Sequence, residues 1–320
     1  MQHAECRAVM PGMISHRTFV GAAALVFATT ASLTIVWCAS MSSMGEMSMP
    51  GGWTMSMAWM RMPGQTWFGA AASFVAMWVL MMVAMMLPSL VPLLWRYREA
   101  VAATAKFPSA KAQPGNAPPD AFRLARLTAL VGLSYYLVWT VLGIAVFPVG
   151  ALLAAAEMQS PALARAVPLA TGLVIMLVGA LQLTAWKTRH LACCRAAPGH
   201  GSRLAPDRPG DAPDRPADVA DRPADVADAP AGAPNAPRYR LAADGLTAWR
   251  YGLHLGRHCI YCCAGLTAIL LVVGVMDLRA MAVVTAAITF ERLAPAGERV
   301  ARIIGVILVG VGLAMIAVRL

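Results

Sequence analysis

Long apolar runs recur along this chain, separated by polar stretches in which lysine and arginine collect. A helix needs about 20 apolar residues to cross the hydrocarbon core of a bilayer. Seven runs qualify or nearly qualify: Phe19 to Ala39, Trp67 to Trp95, Leu124 to Phe147, Ala166 to Trp186, Cys259 to Met276, Ala280 to Phe290 and Ile303 to Val318. The sixth run is short; it spans only with help from Leu278 to Leu293, and is otherwise re-entrant. A backbone in lipid must satisfy its own hydrogen bonds, and runs of this length do so as helices. The expected fold is all-α, a polytopic transmembrane helical bundle of about six to seven spans.

The polar positions divide the chain further. Residues 1–40 read as an N-terminal anchor span, with a cleaved signal peptide as the weaker alternative because Cys38 and Ser40 are small residues after an apolar core. Residues 41–66 form a Met-rich extracytoplasmic loop, 67–195 hold spans two to four, and 241–320 hold the Cys/His-bearing approach to spans five to seven. Between them, residues 196–240 are rich in Ala, Pro, Asp and Arg and repeat DRPADVA twice, from Asp214 and from Asp221. That composition buries too little apolar surface to offset ordering entropy, so a disordered cytoplasmic tether is expected. Its length lets the end of span four lie beside the start of span five.

Composition supports the membrane reading, with 59% hydrophobic and 13% charged residues and a mean hydropathy of +0.62. The formal charge of +10 would otherwise suggest a nucleic-acid partner. In this setting it is explained by loop anchoring, and no nucleic acid is expected. Arg7 and Arg17, the group Arg96, Arg98, Lys106, Lys111 and Arg123, then Lys187, Arg189 and Arg195, and Arg250 and Arg257 all fall on one side. The positive-inside rule makes that side the cytoplasm, placing the N-terminus there in a bacterial inner membrane.

Candidate chemistry collects at the same side. His258-Cys259-Ile260-Tyr261-Cys262-Cys263 sets three thiols and an imidazole within six residues. On a helix, His254, His258 and Cys262 form one stripe, and Cys259 and Cys263 the stripe beside it. His190, Cys193 and Cys194 stand at the end of span four, within reach across the tether. Thiolate and imidazole donors suit soft or borderline ions, copper first and zinc as the alternative. Cys6 and Cys38 stand alone and receive no role.

Methionine adds a second pattern. Met41, Met44, Met47, Met49, Met55, Met57, Met60 and Met62 put eight thioethers into 22 loop residues, where solvated side chains have no core to fill. Thioethers bind Cu(I) without losing a proton. Met77, Met81 and Met85 continue every four residues along span two, with Met82 and Met86 on the adjoining stripe, a route for a soft ion inward. Among polar residues inside spans, which tend to be functional, Gln182 stands near Trp186 and Lys187, and Glu291 reads as a ligand, a proton acceptor or a partner for Arg292.

These residues resemble the DUF2182 family, predicted metal-binding integral membrane proteins. The resemblance is carried by Met82 to Ser89 with Pro92, Gln182 with Lys187, Cys194-Arg195, Gly252, His254-Leu255-Gly256 before Cys259 to Cys263, and Glu291-Arg292. It covers most of the chain from about Trp67 to Leu313 outside the tether, and implies a helical membrane bundle that binds metal. This chain departs from the pattern in having His190 where a cysteine is expected and Ala264 where an aromatic residue is expected.

The leading expectation is a membrane protein that binds a soft transition metal, copper foremost, and handles or transports it, with the lipid bilayer and a metallochaperone or metalloenzyme as partners. No catalytic residue and no nucleotide-binding motif is read. Two rivals remain: a thiol-disulfide oxidoreductase using the Cys259/Cys262 and Cys193/Cys194 dithiols, and a structural membrane subunit.

Overall fold

A computed structural model of the chain describes residues 2–42, 47–61, 63–106, 121–195 and 244–319. The tether at 196–240, Met44 and Met62 lie outside the described residues, as do the side chains of Cys6, Met57 and Cys193. Eight helices make up the described structure: α1 (Gln2–Ser42), α2 (Trp67–Lys106), α3 (Ala121–Gln159), α4 (Pro161–Gln182), α5 (Ala185–Arg195), α6 (Gly245–Val273), α7 (Leu278–Leu293) and α8 (Gly297–Ala317). Six of them, all but α5 and α7, are long and apolar enough to cross a membrane. The protein is thus an all-α, multi-pass helical bundle. Apolar side chains cover much of its outer surface, as a bundle facing lipid requires.

The helices depart from the apolar runs in three places. Span four ends at Gln182, and the polar stretch beyond it forms the separate helix α5, so His190 and Cys194 sit on a short helix of their own. Helix α6 starts at Gly245, well before the apolar run at Cys259, because Arg250, His254 and Arg257 lie on its exposed face while Ala248, Gly252, Leu255, Gly256 and Cys259 face inward. The cysteines therefore stand mid-helix, not at its start. Asp244 caps α6 by accepting the Thr247 N–H at 2.7 Å, a bond that holds its carboxyl below the ordinary aspartate range.

The third departure is in the Met-rich loop. Met47–Met49 (β1) and Trp53–Met55 (β2) form an antiparallel hairpin in the register Met47↔Met55 and Met49↔Trp53. Met49 and Met55 are not solvated, as their loop position suggested. They are buried against Ala154 of α3 and Ala164 of α4, and Trp53 Nε1 donates to the Ala164 carbonyl at 2.8 Å. Alternation along a strand sends every second side chain to the same face, and here that face has a helix pair beneath it.

Glycine decides which helices approach most closely. Between α4 and α8, Gly172 and Gly179 meet Gly312 and Gly305: a Cβ at Gly179 would lie 2.8 Å from the Gly305 carbonyl oxygen, and one at Gly312 2.7 Å from that of Gly172. Between α3 and α6, a Cβ at Gly252 would run into Ser134 and Val131, and one at Gly256 into Val138. Small residues let membrane helices gain dispersion contacts where lipid supplies no hydrophobic drive. Replacing Gly179 by leucine is expected to cost roughly 1–3 kcal/mol through overpacking. It should lower the thermal midpoint in detergent, followed by tryptophan fluorescence, whereas Gly310→Leu, at a position where an added Cβ meets nothing, should not.

Candidate metal centre

The residues that carry chemistry lie far apart in sequence and converge where α2, α3, α4, α5, α6 and α7 meet. Cys194, Cys259, Cys262 and Cys263 are all buried there. Cys259 Sγ lies 3.8 Å from Cys263 Sγ, one helical turn on, and Cys262 lies close to Cys194 across the α5/α6 boundary. The close approach at Gly252 and Gly256 brings Tyr135 of α3 alongside, its hydroxyl 2.9 Å from Cys259 Sγ. Tyr135 carries no signal in the sequence beyond being an aromatic residue in a span.

Charge surrounds the thiols. Lys187 of α5, 2% exposed, donates to the Cys262 carbonyl at 2.6 Å and pairs with Glu291 of α7 at 2.7 Å. Gln182 completes that carboxylate, Nε2 donating to Oε1 at 2.5 Å. Glu291 thus serves Lys187, not Arg292 as adjacency suggested, because neighbouring residues on a helix point about 100° apart. Arg292 turns the other way. Its Nη1 donates to Ser89 Oγ of α2 at 2.9 Å and to Cys259 Sγ at 3.3 Å, and lies 3.5 Å from the Tyr135 hydroxyl. Its Nε and Nη2 have no hydrogen-bond partner among the described residues. Two buried cations therefore face one carboxylate and four thiols.

The histidines form a neighbouring group on the more open side of the α5/α6 junction. His254 Nε2 and His258 Nε2 are 3.1 Å apart, and the His190 ring lies 6.1 Å from that of His258 and 5.3 Å from Tyr261. Among the described residues, Nδ1 of both His190 and His258 lacks a hydrogen-bond partner. The imidazoles gather with Tyr261 into a group beside the thiols, on the stripe that helical spacing gives to His254, His258 and Cys262. Met77, Met81 and Met85, with Met82 and Met86, are all buried in the main core, on the stretch of α2 that ends at Ser89.

The donor chemistry fits a soft ion. With metal–sulfur bonds of about 2.3 Å, sulfurs 3.8 Å apart subtend an angle of about 110° at a shared ion. Among the described residues, no three His, Cys, Asp or Glu side chains are already arranged around one ion. That angle is close to tetrahedral and suits a soft or borderline ion on thiolates, copper or zinc.

A multi-pass helical membrane protein with a buried centre of thiols and paired charges is what the fold and the site define. Residues 75–211 and 231–315 match the model of the PpoB2 family, described as copper chaperone, and the chain belongs to that family. Ser89, Tyr135, Gln182, Lys187, Cys194, Cys259, Cys262, Cys263, Glu291 and Arg292 all fall inside the matched segments. No curated protein and no solved structure matches the chain.

The ion pair should behave as a buried pair does. Lys187→Met leaves the Glu291 carboxylate without its cation and is expected to cost about 3–5 kcal/mol. Adding Glu291→Met removes the stranded charge and should recover much of that loss, measured as thermal midpoint and as monodisperse yield in detergent. A Lys187→Met protein as stable as the parent would show that the pair does not hold this centre.

Proposed function

We propose that this protein handles Cu(I) as cargo at the bacterial inner membrane, holding it on the buried thiols of α5 and α6 and exchanging it with a metallochaperone or metalloenzyme partner. The observation that carries the reading is the uncompensated cation. Lys187, Arg292 and Glu291 leave one positive charge in a buried site, and a Cu(I) ion on two thiolates carries one negative charge. Loading the site would neutralise it, which is worth much where water is excluded. The second shell agrees, since Tyr135 and Arg292 both bond Cys259 and so fix the orientation of a ligand sulfur.

Cys194, Cys259, Cys262 and Cys263 are the proposed holding ligands, with Cys193 beside them in the chain. His190, His254 and His258 form the more open group through which the ion would enter or leave on the cytoplasmic side. The buried Met77, Met81 and Met85 would carry a soft ion along α2 from the opposite end, so the reading includes passage across the membrane as well as storage. Orientation follows the arginines: Arg96, Arg98, Arg123, Arg189 and Arg250 lie at or near the helix ends on the side of His190, which the positive-inside rule assigns to the cytoplasm together with the N-terminus. The resemblance to DUF2182 fits the same picture, because the residues that carry it in α2, α4, α5, α6 and α7 meet at this centre.

The thiol-disulfide alternative draws on the Cys194–Cys262 contact. One preparation decides between the two: protein purified anaerobically in detergent, titrated with Cu(I) against bicinchoninate. Cys262→Ser with Cys263→Ser is expected to remove one equivalent of bound Cu(I), and Tyr135→Phe to lower the affinity of that equivalent about 10–100-fold. Protein that binds no Cu(I) at the cysteines, or that retains only zinc there, sinks the copper reading; a Cys194–Cys262 disulfide cycling with a quinone would establish the alternative.

A further inference from the structure

Cys38 has no cysteine or histidine near it in the sequence, but in the fold it has a sulfur partner. Helix α1 packs antiparallel on α2, with His16 against Trp95 at one end and Trp37 and Cys38 in the core near Met77 at the other. There Cys38, 2% exposed, points its thiol at the thioether of Met276 in the turn between α6 and α7, Sγ to Sδ 3.8 Å. Beside the pair lies a cavity of about 490 Å³ bordered by Met41 of α1, Met60 from the segment after β2, Met77 of α2, and Met276. One thiol and four thioethers are thus gathered from four separate stretches of chain.

Methionine is a common gap filler, and gap filling would close the space between these side chains. Here the thioethers border open volume instead. With metal–sulfur bonds of about 2.3 Å, the 3.8 Å separation of Cys38 and Met276 corresponds to an angle of about 110° at a shared ion, so a single ion could come within bonding reach of both sulfurs. Charge selects the ion. Among the described residues, the cavity is lined by no acidic or basic side chain. One thiolate with a monovalent cation is neutral, whereas a divalent ion would leave a positive charge buried without a partner.

We propose that Cys38, Met276 and Met77 form a second soft-metal site, selective for Cu(I) over divalent ions, at the end of the bundle remote from the thiol centre. Met77 precedes Ser89 by 12 residues of α2, about 18 Å along the helix. Met81, Met82, Met85 and Met86 occupy the interval, so the two sites stand at the ends of one row of buried thioethers. The proposal rests on the copper reading of the thiol centre and gives it a receiving site. Cys38 lies outside the segments that match the copper chaperone family, so this site is a property of the whole chain.

Cu(I) titration against bicinchoninate, with sulfur X-ray absorption of the bound ion, tests it on the full-length protein in detergent. The wild type should bind one equivalent more than Cys38→Ser. The Cys262→Ser, Cys263→Ser protein should retain one equivalent with sulfur-only coordination, lost when Cys38→Ser is added and weakened by the near-isosteric Met276→Leu. Zn(II) should not occupy it. Cys38→Ala, which places no hydroxyl in the core, guards against misfolding: its thermal midpoint without metal should match the parent. An equivalent removed by the Cys262/Cys263 changes but untouched at Cys38 overturns this site and leaves the thiol centre standing; the reverse result overturns the thiol centre and leaves this one.

Discussion

Burying charge inside a membrane bundle is the constraint on which the centre of this protein depends. Lys187 and Arg292 are both nearly inaccessible, and each must find acceptors within the protein because the surrounding lipid offers none. Lys187 ties α5 to the α6 backbone and, through Glu291 and Gln182, to α7 and α4. Arg292 reaches α2, α3 and α6 from the next residue along α7. A short helix that does not qualify as a membrane span thereby becomes the hub joining five others. Such pairs are seldom net stabilising against apolar replacements, so their presence beside four thiols argues for a purpose beyond stability.

The hub also depends on backbone spacing. Tyr135 touches Cys259 only because glycines at 252 and 256 let α6 settle against α3. On the other flank, paired glycines lock α4 to α8, which holds Gln182 where it completes Glu291. These contacts are van der Waals in origin and bring no chemistry themselves. Their role is to bring polar side chains within hydrogen-bonding distance, which a looser bundle would leave bridged by water or unsatisfied.

Membership of a copper chaperone family gives the sulfur pattern a common sense. The proposed sites at the two ends differ in charge: the thiol centre leaves one positive charge uncompensated, while among the described residues the Cys38 cavity is bordered by no charged side chain. A Cu(I) ion on two thiolates suits the first, and one on a single thiolate suits the second. The same monovalent ion would therefore be neutralised at both ends, and the thioethers between add no charge of their own.

Much of this was legible in the amino-acid order. Hydropathy depends on residues within one or two turns of each other, so the apolar runs predicted an all-α membrane bundle, and the ligand types pointed to a soft ion. Local pattern also misled where burial is decided at long range. Met49 and Met55 read as solvated until helices α3 and α4 were seen beneath their hairpin, the apolar run of span five read from Cys259 although its helix begins at Gly245, and Glu291, read as a ligand, a proton acceptor or a partner of Arg292, pairs with Lys187. The convergence of Ser89, Tyr135, Lys187, Cys259 and Arg292, and the meeting of Cys38 with Met276 across 238 positions, belong to the tertiary structure alone. Sequence determined which segments enter the bilayer and what chemistry they carry; packing decided which side chains meet, because helix contacts join residues that no local period relates.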